Sequence, residues 1–325
     1  MSEHDLAGEN IGLHRFAVFT ALTTVFLIFV GGLVTSTESG LSVPDWPTTY
    51  GWNMFTFPIS KWVGGIRYEH GHRLLASGVG FLTVILAFWT WFREKRKWVR
   101  WLAVAALGTV IAQGVLGGLT VIFLLPAPIS TAHACLAQTF FCLVISIALF
   151  TSPAWKRELP SIGESGPGAP RMPVLCALTT VAVYVQLILG ALMRHTDAGL
   201  AVRTFPFPLI PPFDSEKVAI HFAHRVGALV VATMIVWTFS RIYSHYSHHR
   251  LLFRPAMTML ALLVLQIALG AFTVWTAKGV LPTTAHVATG ALILGASFLL
   301  TLRAFGMVSK RQPAAIYPFR EPAWK

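Results

Sequence analysis

The stretch Gly65–Phe92, GIRYEHGHRLLASGVGFLTVILAFWTWF, decides the fold. From Leu74 to Phe92 it carries no charge and is long enough to cross a hydrocarbon core of about 30 Å. Yet it begins with Glu69, His70, His72 and Arg73. Ionisable side chains at that depth are costly, so they mark a functional site unless they are a membrane anchor or a satisfied core histidine.

Working outward, similar apolar runs recur. They predict eight helices near 16–35, 69–92, 101–124, 131–150, 173–193, 218–240, 255–276 and 283–305. The 325 residues are 55% hydrophobic and 12% charged, with a mean hydropathy of +0.65, which excludes an ordinary soluble domain. The first apolar run, Phe16–Val34, is too long for a signal-peptide core and no small-residue cleavage site follows, so it reads as a retained helix.

Lys and Arg crowd one set of connections, including Arg93, Lys95, Arg96, Lys97, Arg100, Arg241, Arg250 and Arg254, and the C-terminal tail. The opposite set holds only Lys61, Arg67, Arg194, Arg203, Lys217 and Lys278, apart from Arg73 and Arg225. This predicts that both termini are cytoplasmic. The net charge of +12 is mostly this asymmetry and suits anionic lipid; no aromatic-interleaved basic stripe supports nucleic acid as a partner. The loop histidines His245, His248 and His249 lack a Cys or carboxylate beside them and read as a solvated loop. Cys135, Cys142 and Cys176 all fall inside predicted helices, without metal-ligand spacing, and read as small packing residues.

The chain repeats itself. GGLVTSTESGLSVPDWP, from Gly31, matches GALMRHTDAGLAVRTFP, from Gly190; EHGHRL at Glu69 matches HFAHRV at His221; AQGVLGGLTV with STAHA matches LQIALGAFTV with TTAHV, pairing Gln113 with Gln266, Gly117 with Gly270 and His133 with His286. The expected fold is an all-α membrane protein, eight transmembrane helices as two tandem four-helix bundles related by a pseudo-twofold axis along the membrane normal. The expected units are an N-terminal half 1–152, a cytoplasmic linker 153–172, a C-terminal half 173–305 and a basic cytoplasmic tail 306–325.

In that topology the second, fourth, sixth and eighth helices run inward from the outer face. Each carries a histidine near its outer end: His72, His133, His224 and His286. Two equivalent imidazole pairs across bundle interiors, without cysteine or carboxylate support, suit axial ligands of haem iron better than tetrahedral zinc. Gly114, Gly117 and Gly118, with Gly270 and Ala271 in the copy, give room for a flat macrocycle or serve close helix packing. Arg73 and Arg225, each directly after a histidine, are candidates for binding haem propionates, or snorkel to the interface. His70, off the face of His72, and His195, in a predicted loop, suggest interface roles; His221, one turn before His224, contacts a haem edge or hydrogen-bonds locally.

GGLVTSTESGLSVPDWP, EHGHRLLAS, STAHA, HFAHRVGA and TTAHVATGA together resemble the haem A synthase family, membrane enzymes that mature the haem of cytochrome c oxidase. The resemblance covers all but the linker and the tails. It implies a substrate haem O on His72 and His133, a resident haem B on His224 and His286, Glu69 as the catalytic glutamate, and a location in the bacterial inner membrane with the haem sites toward the outer face. The implied reaction oxidises the C8 methyl of haem O to a formyl group through two hydroxylations. Haem O synthase and oxidase assembly factors are candidate partners. Many bacterial relatives carry cysteine pairs in the outer loops; here Val43 stands before PDWP and no outer loop has a cysteine, which removes any thiol step or loop disulfide.

The halves differ where chemistry should. The repeat position of Glu69 is His221. A haem held for electron transfer needs no base, whereas oxidising a methyl group does. The alternative for Glu69 is an interfacial carboxylate paired with Arg67 or Arg73. Two other functions compete: a di-haem b-type cytochrome moving electrons between quinol and a partner, and a metal or haem exporter, which the absence of broken helices disfavours.

Overall fold

A computed structural model describes residues 11–156, 171–206 and 212–308. Within them are eight helices long and apolar enough to span a membrane: α1 Ile11–Ser36, α2 Ile66–Arg93, α3 Lys97–Ile122, α4 Ala127–Thr151, α5 Met172–His195, α6 Glu216–Tyr246, α7 Arg250–Trp275 and α8 Val280–Val308. The molecule is a multi-pass membrane protein. Hydrocarbon offers no hydrogen-bond partner, so a spanning segment must satisfy its backbone internally, and uninterrupted helix does this.

Most helices run past their apolar runs. α6 continues beyond residue 240 through the polar His245 to Tyr246, because backbone bonding does not stop where hydrocarbon does. α3 is the reverse case: the apolar run was expected to continue to 124, but the helix ends at Ile122, and Leu124 and Leu125 take φ 59° in the turn that follows. All four odd-numbered helices end alike. A left-handed residue (Glu38, Leu124, Asp197 or Ala277) is followed by an amide that bonds five residues back: Ser39 to Val34, Leu125 to Thr120, Ala198 to Met193 and Lys278 to Thr273. This geometry satisfies the orphan carbonyls of a helix C-terminus.

Part of the expected linker, residues 157–170, and most of the expected tail, residues 309–325, lie outside the described residues. Pro153–Lys156 forms a helical turn, Met172 already belongs to α5, and α8 extends to Val308.

Within the first four helices, α1 packs on α2 and α4, and α3 on α2 and α4; α5 to α8 repeat that pattern. Contacts of α1 with α8, and of α4 with α5 and α8, join the two sets. α4 and α8 are the most buried helices, α3 and α7 the least. Lipid is as apolar as leucine, so close packing and interhelical hydrogen bonds hold the helices together. A Cβ on Gly295 of α8 would lie 2.9 Å from Phe141 of α4. Hydroxyl pairs cross between helices: Thr179 with Thr238 at 2.7 Å, Thr180 with Thr301 at 2.8 Å, and Thr139 with Tyr184 at 2.8 Å. Each such bond contributes about 0.6 kcal/mol.

At the end of the molecule opposite the four histidines, Glu94 caps the turn after α2. It accepts from Arg96, whose Nη2 also donates to Phe150 O at 2.6 Å. Burial tends to raise the Glu94 carboxyl, but the Arg96 hydrogen bonds and charge outweigh it and hold Glu94 below its ordinary value.

Candidate functional site

His72, His133, His224 and His286 each sit in the first three turns of an even-numbered helix. Each imidazole lies against a glycine near the end of the preceding helix. A Cβ on Gly31, Gly117 or Gly190 would meet Cε1 of His72, His133 or His224 at 3.1 Å, and one on Gly270 would meet Cε1 of His286 at 3.2 Å. Any other residue would push into the ring. Of the other small residues expected to leave space, Gly118 faces Trp46, whose indole would lie 2.4 Å from an added Cβ, and Gly114 faces nothing within 4 Å.

The structure brings the histidines together in pairs. His72 and His133 are within electrostatic range of one another, as are His224 and His286. Three of the four meet a glutamine one turn before their glycine. Gln113 Nε2 lies 3.3 Å from His133 Nε2 and donates to His133 O at 3.0 Å; Gln186 Nε2 lies 3.1 Å from His224 Nδ1 and donates to His224 O at 2.8 Å; Gln266 Nε2 lies 3.3 Å from His286 Nε2. By the repeat, the fourth position is Leu27, and buried His72 Nδ1 has no hydrogen bond. Sequence matching picks out Gln113 and Gln266 because they match each other. It passes over Gln186, whose match is a leucine; the usable signal is Gln four residues before each histidine-facing glycine.

The donor set fits a haem held by paired histidines. His286 Nδ1 donates to Gln266 O at 3.1 Å, so the lone pair is on Nε2, where the Gln266 side-chain amide lies at 3.3 Å and would give way to a metal. His133 Nδ1 is buried without a partner. Among the described residues no group of three or more His, Cys, Asp or Glu could hold a metal, and a bis-imidazole site needs only two.

Glu69, one turn before His72 on α2, is 3% exposed. Its Oε2 accepts from Val43 N at 2.8 Å and its Oε1 from Arg73 at 2.7 Å. Arg73, rather than Arg67, is its ion-pair partner; Arg67 donates to the Tyr68 hydroxyl. Arg73 also donates to the carbonyls of Val43, Asp45 and Thr48. The pair therefore fastens the loop after α1. Asp45 stiffens that loop by accepting from Thr48 and from the Tyr50 and Gly51 amides. Burial tends to raise the Asp45 carboxyl, and these bonds outweigh it and hold it below its ordinary value.

The copy is built alike with different chemistry. His221 takes the place of Glu69 and lies beside the Val202 amide, the equivalent of Val43. Its Nδ1 donates to Ala198 O at 3.0 Å, the local hydrogen bond rather than a free ring. Arg225 donates to the carbonyls of Val202 and Thr204, while its buried Nη1 has no partner.

Two expectations are corrected. His70 is not interfacial: it is fully buried, with Nδ1 3.2 Å from the Thr49 hydroxyl and its ring between Phe57 and Trp62. His195 is not in a loop; it is the last residue of α5, within electrostatic range of His133.

A family model described as cytochrome oxidase assembly protein matches residues 14–63 and 56–299. Among curated relatives, the Heme A synthase of Halalkalibacterium halodurans is 30% identical over 299 residues, 84% of this chain and 92% of the relative. That of Symbiobacterium thermophilum is 31% identical over 78% of this chain and 84% of the relative. That of Shouchella clausii is 28% identical over 82% and 87%.

Proposed function

This chain belongs to the cytochrome oxidase assembly protein family, and from that premise we propose that it is a haem A synthase of a bacterial plasma membrane, oxidising the C8 methyl of haem O to a formyl group. In this reading His72 and His133 hold the substrate haem O, and His224 and His286 hold a resident haem B. Haem B bound there supplies a one-electron carrier between the substrate and an external acceptor. Both termini are cytoplasmic, and the Lys and Arg between α2 and α3 face anionic headgroups. Haem O synthase and oxidase assembly factors are the partners such an enzyme would meet.

With water as the oxygen source, methyl plus one water becomes formyl with release of four electrons and four protons. A proton acceptor is therefore required beside the ring edge. Residues three apart share a helix face, so Glu69 lies on the side of α2 that presents His72. Val43 and Arg73 each use one lone pair of its carboxylate, leaving further acceptor capacity on both oxygens. In this role Glu69 takes protons from the attacking water or the oxidised carbon, and its charge stabilises positive character there. Arg73 holds the carboxylate in place, and the loop it ties down keeps bulk water away.

The observation that carries the reading is the substitution of Glu69 by His221 between two otherwise matching histidine sites. Deleting the gene from a host with a single copy is expected to abolish haem A and accumulate haem O. Persistence of haem A in that strain would overturn the proposal. Acid extraction of the purified protein separates it from a di-haem electron-transfer cytochrome: haem B with haem O or haem A is expected, and haem B alone at two per chain favours the cytochrome.

A further inference from the structure

We propose that Arg194 is the cation that pairs with a propionate of the haem held by His224 and His286, raising that haem's reduction potential; this rests on the haem reading above. The sequence suggests Arg73 and Arg225 for propionates, but Arg73 is taken by Glu69 and loop carbonyls, and Arg225 is tied to two loop carbonyls through Nη2, with Nη1 alone left over. Arg194 lies in the last turn of α5, four residues after Gly190, the glycine under His224, and so on the same helix face. Its Nη2 donates to Ser36 Oγ at 2.8 Å and to Gly32 O at 2.7 Å on α1. Ser36 Oγ in turn accepts from Thr284 at 2.9 Å, two residues before His286. The guanidinium thus stands where α5 meets α1 and, through Ser36, the ligand-bearing α8, within electrostatic range of His286.

No carboxylate pairs with Arg194 among the described residues: Asp197 lies 4.0 Å from Lys278, and Glu69 and Glu94 are taken by Arg73 and Arg96. Its Nε and Nη1 make no hydrogen bond there, which leaves one side of the planar fork for a carboxylate. A guanidinium within a spanning helix without a counter-ion is costly, and an anionic ligand edge offsets that cost. Ferric bis-imidazole haem carries one more positive charge than ferrous, so a nearby cation disfavours the ferric form. The site then accepts electrons from the substrate side more readily.

The test is a spectroelectrochemical titration of the low-spin b-type band in the full-length chain carrying R194Q, R194K or S36A. R194Q is expected to keep the band and to shift the ferric–ferrous equilibrium about tenfold toward ferric, ~59 mV for one electron. R194K, which keeps the charge, and S36A, which removes only the hydroxyl between Arg194 and Thr284, stay within roughly threefold of wild type on the same scale. An unshifted equilibrium in haem-loaded R194Q, or an equal shift in S36A, overturns the proposal. If R194Q holds no haem, retention by R194K supports the charge and loss by R194K overturns it. Absence of any low-spin b-type band in the wild type instead rejects the underlying haem reading.

Discussion

The two histidine sites share a scaffold, and two of the side chains in which they differ bear on the imidazoles. In both, an imidazole rests on a glycine and an arginine clasps the outer loop by its backbone. The first site has Glu69 where the second has His221, and Leu27 where the second has Gln186. The contrast teaches where reactivity and permanence come from. On the haem A synthase reading, the carboxylate is what would make the first site reactive, and the extra glutamine, beside the one each site already has, is what would make the second retentive.

Replacing Glu69 with Gln strikes the first difference and should have the largest effect. Product haem A per folded molecule is expected to fall about 10²–10⁴-fold with both haem sites still loaded, read by chromatography of the extracted pigment. Near-normal turnover with poor protein yield would instead make Glu69 only a loop fastener. The second difference is probed by exchanging the amide. Q186L removes the amide that donates to His224 O and fixes that turn of α6, and should weaken haem retention at the His224 site by about 10–100-fold, measured by transfer to an apo acceptor protein. The reciprocal L27Q should slow release from the His72 site. If both exchanges leave release rates unchanged, the glutamines do not explain the contrast.

A smaller effect is expected where only one half has the feature. G118A sets a methyl against Trp46 and should destabilise the first half by about 1–3 kcal/mol in detergent, lowering its thermal midpoint. The smallest effect tests the far end, where the first half has the ion pair Glu94–Arg96 and the second, among the described residues, has Arg303 donating to Leu251 O and no ion pair. The folded value of Glu94 is depressed, so its contribution is present above the unfolded value of 4.5 and is lost as pH falls through the lower folded value. The wild type should lose up to about 1 kcal/mol on acidification below that range, and E94Q should lack this acid limb.

Much of this was legible in the sequence because hydrocarbon imposes a simple rule: long uncharged runs are helices. Eight helices and the positions of the four histidines follow from it. The rule fails at helix ends, where Leu124 and Leu125 are apolar but turn the chain, and α6 stays helical past its apolar run. The glycine seats were readable only as small residues; which glycine faces a ring depends on how neighbouring helices are rotated, and Gly114 and Gly118 face elsewhere. Arg73 was equally ambiguous, since the carbonyls it binds belong to a loop whose path no periodicity reports.

Val43 is fully buried beneath the outer loop, its amide held by Glu69 and its carbonyl by Arg73. The three cysteines of this chain are all unpaired and lie within helices. Closing this cover thus calls for no thiol oxidant and no disulfide isomerase; it needs the carboxylate and guanidinium that α2 brings alongside the loop. Reducing agents that would loosen a sulfur-tied cover leave this one shut, so the protein can be matured and handled in a reducing environment without losing its roof.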